Sequence, residues 1–139
     1  MSITSVRPFY KNRLEILGFT QWSDGFNFEN IPSTILDKAF HIQVNSTAGG
    51  VISPHVQNIN MPVTIRVFRK GFRDVSAGID SALADVESII CDILAPSVRL
   101  GSAIKNVVLD DFSVNPLADS NDNAIMLELN FTNLIVLEI

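Results

Sequence analysis

Hydrophobic and polar positions alternate over residues 38–46, where Phe40, Ile42 and Val44 share one face and His41, Gln43 and Asn45 the other. Period two predicts a half-buried strand. The pattern returns over 61–69, with Met61, Val63, Ile65 and Val67 on the core face and Thr64 and Arg66 opposite. Residues 103–115 predict a third strand whose phase slips: Val107 and Leu109 lie on one face, Phe112 and Val114 on the other. A bulge near Asp110-Asp111 reconciles the two halves. The longest alternation covers 124–139, where Ile125, Leu127, Leu129, Phe131, Ile135 and Leu137 keep step and only Asn133 interrupts.

Two segments follow helical spacing instead. Val75, Ile79, Leu83, Val86, Ile90 and Ile93 predict a main helix over 75–94, capped by Asp74 or Ser76 and ended by Pro96. A short first helix is predicted over 6–17, with Pro8 in its first turn, Tyr10, Leu14 and Leu17 on one face, and Gly18 as its stop. Residues 19–37 read as an irregular aromatic segment, 47–60 as a long, nearly uncharged connection, and 116–123 as a polar loop. The expected fold is α+β, in the order α-β-β-α-β-β. It is an antiparallel four-stranded sheet packed by one long helix, with a short N-terminal helix beside it. The 139 residues suit one domain, 1–139.

Composition narrows the function. Hydrophobic residues make up 47% and charged residues 18%, which excludes general disorder. A formal net charge of −5 argues against non-specific binding to a phosphate backbone. The single cysteine, Cys91, allows no internal disulfide and no cysteine metal cage. The opening Met-Ser-Ile-Thr-Ser-Val-Arg-Pro lacks the pattern of a secretion signal, and no apolar run approaches a membrane span. The expectation is a protein with no membrane partner.

Catalytic signatures are missing from the pattern. His41 falls on the polar side of a strand and His55 in the uncharged connection, and no triad or ligand motif accompanies either. Both read as exposed polar residues. Asp110-Asp111 and Asp119/Asp122 do not match a calcium-loop spacing. The reading is therefore non-enzymatic, with no cofactor, no metal and no catalytic residue.

What the pattern offers instead is surface. The last strand is apolar on both faces from Leu134 onward, so Leu134, Val136 and Glu138 are candidate contacts for another protein. The 47–60 connection adds Val51, Ile52, His55 and Val56. The one basic concentration, Arg66, Arg69, Lys70 and Arg73, reads as a salt-bridging set toward an acidic protein partner. Two contact surfaces suit a homo-oligomeric ring.

The order of motifs carries a resemblance. Arg13-Leu14, Leu17-Gly18-Phe19, the aromatic turn to Phe26 and Phe28, and Asn30-Ile31-Pro32 lead into Phe40-His41-Ile42. A strand ending Phe68-Arg69-Lys70-Gly71, a long helix and two final strands follow. Most of the chain thus resembles the tail terminator (tail-to-head joining, or tail completion) family of long-tailed bacteriophages. The resemblance implies an α+β subunit of a hexameric ring in the virion neck, assembled in the host cytoplasm. Such a ring caps the tail tube protein, ends its polymerisation and joins the head-side connector protein. DNA passes through its lumen without specific binding. The 19–37 and 47–60 segments also fit another neck or head–tail connector subunit. The reading from outside this class is a small cellular α+β enzyme or ligand-binding dimer.

Overall fold

The computed structural model describes residues 3–21, 37–45, 50–53, 56–70, 74–95, 106–116 and 124–138. A single turn of 3-10 helix, Ile3–Ser5, leads into α1, Val6–Ile16. Then come β1, Thr20–Gln21; β2, Ala39–Val44; β3, Gly50–Ser53; and β4, Val56–Arg69. The long helix α2 is Val75–Ile93, and β5, Asn106–Pro116, and β6, Ile125–Glu138, complete the chain.

The α+β class and the antiparallel β2-β4-β6-β5 core agree with the sequence pattern. The sheet is larger than expected. Among the described residues it has six strands, in the order β1-β2-β4-β6-β5 with β3 also pairing with β4, and β1 runs parallel to β2. The 47–60 stretch is thus corrected from a connection to strand: β3 and the first residues of β4 lie within it. β3 joins the same edge of β4 as β2, the pairing moving from Val44↔Val63 to Gly50↔Asn58. Pro62 sits at that break. Its carbonyl accepts the Asn45 amide at 2.8 Å, but it has no N–H to return, so β2 pairing stops there. On its other edge β4 pairs with β6 without interruption from Val56↔Glu138 to Arg69↔Ile125.

The expected bulge is present. The β5–β6 register shifts between Leu109 and Asp111, which returns Val107, Leu109, Phe112 and Val114 to one face. That face is the core. Phe40 and Ile42 of β2, Val63, Ile65 and Val67 of β4, and Leu127, Leu129 and Phe131 of β6 are buried there beneath both helices. Val6, Tyr10 and Leu14 of α1 and Ala82, Val86, Ile89 and Ile93 of α2 close over them.

The helix ends follow local chemistry. The Phe19 amide bonds the Leu14 carbonyl and the Gly18 amide the Glu15 carbonyl, both at 3.0 Å. Gly18 is left-handed at φ 97°, a conformation that glycine adopts without a Cβ penalty. Asp74 caps α2, its carboxylate accepting the Ala77 amide at 2.8 Å. The buried stripe of α2 is rotated from the predicted one: Ala82 and Ile89 are inside, whereas Leu83 is 44% exposed.

Candidate interaction surface

Polar groups pair in two ways around the core. Inside it, Asn133 is completely buried on the helix side of β6. The Tyr10 hydroxyl donates to its Oδ1, and its Nδ2 donates to the Met61 carbonyl at 3.0 Å. The second bond fixes which end of the amide is oxygen. Burial pushes the Tyr10 hydroxyl above its ordinary range, so it stays protonated. α1 is thereby tied to β6 and, through Met61, to β4. Arg13 adds a second tie, its Nε donating to Asp92 of α2 at 2.8 Å.

On the other face of the sheet the polar side chains form a cross-strand lattice. Thr64 donates to Asn130 at 2.7 Å, and Asn130 donates onward to Asp111 at 2.6 Å. Arg66 donates to Glu128 at 3.3 Å and to Gln43 at 3.0 Å. Thr132 donates to Asp110 at 2.5 Å. Each donor finds its acceptor on the neighbouring strand because the register places Thr64 opposite Asn130 and Arg66 opposite Glu128.

His41 departs from the sequence reading. It is 7% exposed, and its pKa is lowered by burial first, then by the positive charges of Arg66 and Arg7. The imidazole is therefore held toward its neutral form. Cys91 is exposed on α2.

The basic cluster does not stay together. Arg66 lies on the lattice face with Glu128, while Arg69 reaches Asp37 at 3.0 Å and Asp85 of α2. Residues three apart on a strand point to opposite faces. Arg66 and Arg69 are thus paired with carboxylates of this chain, on opposite faces of the sheet. Lys70 bonds Asp37 through its backbone amide. Arg73 and His55 lie outside the described residues.

The other contact candidates converge. β3 carries Val51 and Ile52, and Val51 is registered opposite Gln57. Ser53 is opposite Val56, Val56 opposite Glu138, and Asn58 opposite Val136. Two segments far apart in sequence thus lie side by side at one end of the sheet. Leu134 adjoins this end, half-buried between Asn60 of β4 and Asn106 of β5. Sequence reasoning chose these residues but not their adjacency, since that depends on β3 being a strand.

Sequence reasoning missed the β5 edge. Among the described residues no strand pairs with the outer side of β5, and Val108 and Phe112 are 51% and 46% exposed there. The phase slip at Asp110 was the available signal, because bulges favour edges. Among the described residues no three His, Cys, Asp or Glu side chains are grouped to hold a metal ion. No described helix is long and apolar enough to cross a membrane. Comparison with protein-family models gives no match, and comparison with curated proteins gives none.

Proposed function

We propose that this chain is a non-catalytic structural subunit of a tailed phage particle. It forms a ring that caps the tail tube, ends its polymerisation and joins it to the head-side connector. The observation that carries the reading is the convergence of β3, the start of β4 and the end of β6. Val51, Ile52, Val56, Val136 and Glu138 share one end of the sheet, which suits docking of a neighbouring virion protein. The order of sequence motifs, which resembles that of tail terminators, adds weight independently.

The test is electron microscopy of particles assembled without this protein. The expected result is tails of uncontrolled length, or tails of normal width that fail to join filled heads. Empty heads beside normal, correctly sized tails would overturn the reading. Native mass spectrometry of the purified chain is expected to show a closed ring, with six copies as the implied number.

A further inference from the structure

The ring reading leaves open which surfaces join one copy to the next. This inference rests on that reading and supplies the surfaces. Among the described residues β5 is one lateral edge of the sheet, and β1 with β2 is the other. The β5 edge exposes Val108 on the lattice face and Phe112 at the margin of the helix-covered face, apolar side chains that favour a protein cover wrapping the edge. It also carries Asp110 and Asp111, both exposed and hydrogen-bonded to the neutral partners Thr132 and Asn130. Neither carboxylate is in an ion pair among the described residues.

Among the described residues the opposite edge carries cations outside ion pairs, while Asp37 beside them is paired with Arg69. Arg7 is exposed on α1, which packs against β2, and its charge reaches His41 of that strand. Lys38 is exposed immediately before β2, its carbonyl accepting the Thr20 amide of β1 at 2.9 Å. Neither cation is in an ion pair among the described residues, although the charge of Lys38 reaches Asp85.

A two-fold pairing of β5 with itself is disfavoured. Antiparallel pairing about the middle of Asn106–Pro116 would set Asp111 against its own copy, with Asp110 alongside. Like charges directly opposite destabilise such a pair. Opposite charges at opposite edges instead favour a head-to-tail contact, the kind that closes into a ring. We propose that copies of this chain join head to tail, the β5 edge of one against the β1–β2 edge of the next, with Asp110 and Asp111 facing Arg7 and Lys38. The contact covers Val108 and Phe112.

The test uses two charge-reversed full-length chains, D110K/D111K and R7E/K38E, measured by sedimentation and native mass spectrometry. Each alone is expected to need at least about tenfold more protein than the wild type for half-assembly. An equimolar mixture of the two is expected to assemble, because each then meets the opposite charge. Melting curves establish that both chains fold. Should the Lys38 change disturb the turn, R7E alone, at an exposed side chain, gives the same test at smaller amplitude. Reversed chains that assemble like the wild type, or a mixture of folded chains that does not assemble, would overturn the inference and leave the ring reading standing. A wild-type chain that stays monomeric at high concentration would overturn both.

Discussion

Removing the buried amide and the hydroxyl that meets it should produce opposite signs in two backgrounds. Tyr10→Phe deletes the donor to Asn133 and leaves that buried oxygen without its partner. The cost is the desolvation of one polar group, about 1–3 kcal/mol. Asn133→Leu replaces the amide by an apolar side chain of similar size, so little cavity forms. It strands the Tyr10 hydroxyl and removes a side-chain donor from the Met61 carbonyl, which stays in the β4–β6 ladder, and should cost about 1–3 kcal/mol. In the Asn133→Leu background the Tyr10 hydroxyl is already unsatisfied, and Phe removes it. The double variant should then be more stable than Asn133→Leu alone. The coupling should exceed about 1 kcal/mol, well above the scatter expected of independent sites. Urea unfolding followed by circular dichroism supplies all four free energies, with unchanged slopes confirming that the unfolded states match. Equal destabilisation by Tyr10→Phe in both backgrounds would refute the reasoning, since it would mean that the hydroxyl acts through something other than Asn133.

The Asp85 carboxylate has a raised pKa, through burial first, with Arg69 opposing the shift. A carboxyl raised in the folded state contributes stability below its unfolded value of 3.8 that is lost as pH rises through the folded value. Relative to the wild type, Asp85→Asn should therefore gain stability as pH increases across that window; urea unfolding at several pH values checks this, and a variant that holds level or loses ground to the wild type as pH rises would contradict it. Deleting Asp110 should remove the β5 bulge while preserving every remaining registered pair, because Leu109↔Phe131 and Asp111↔Asn130 then follow without a gap. The deleted chain should melt within about 1 kcal/mol of the wild type, since one exposed hydrogen bond is lost, yet aggregate more readily on a flatter edge; a large loss of stability with unchanged solubility would show that the bulge supports the core instead.

Where one periodicity dominates, the sequence predicts the structure well. The four antiparallel core strands, α2, the Gly18 stop and the β5 bulge follow from alternation, helical spacing and one phase slip. β3 and the start of β4 were hidden because Gln57, Asn58 and Asn60 supply no apolar stripe and Pro54 and Pro62 look like breakers. Pro62 does break pairing, but only toward β2, while β6 pairs straight past it. The phase of α2 was misjudged because Ala82, small and weakly apolar, holds the packed position that Leu83 seemed to claim. His41 and Asn133 are buried by neighbours distant in sequence, which no local window contains. The division of the basic cluster was legible in principle, since positions 66 and 69 differ by an odd number. Its neutralisation by Glu128, Asp37 and Asp85 was not.

This division bears on where a partner can bind. The helix-covered face holds the core, and the second face carries a lattice that pairs Thr64, Arg66, Asn130 and Thr132 across four strands. A partner laid flat on that lattice would have to replace bonds such as Thr64–Asn130 and Arg66–Glu128 with others at least as good, for little net gain. The edges differ. Val108 and Phe112 of β5 lose only water when covered, and Asp110 and Asp111 lose no ion partner among the described residues. At the far end the register of β3, β4 and β6 brings two segments distant in sequence side by side. Association through the edges and the end of the sheet therefore costs less than association through its face. The proposed capping ring uses this division of surface, with the edges for its own copies and the end of the sheet for a different protein.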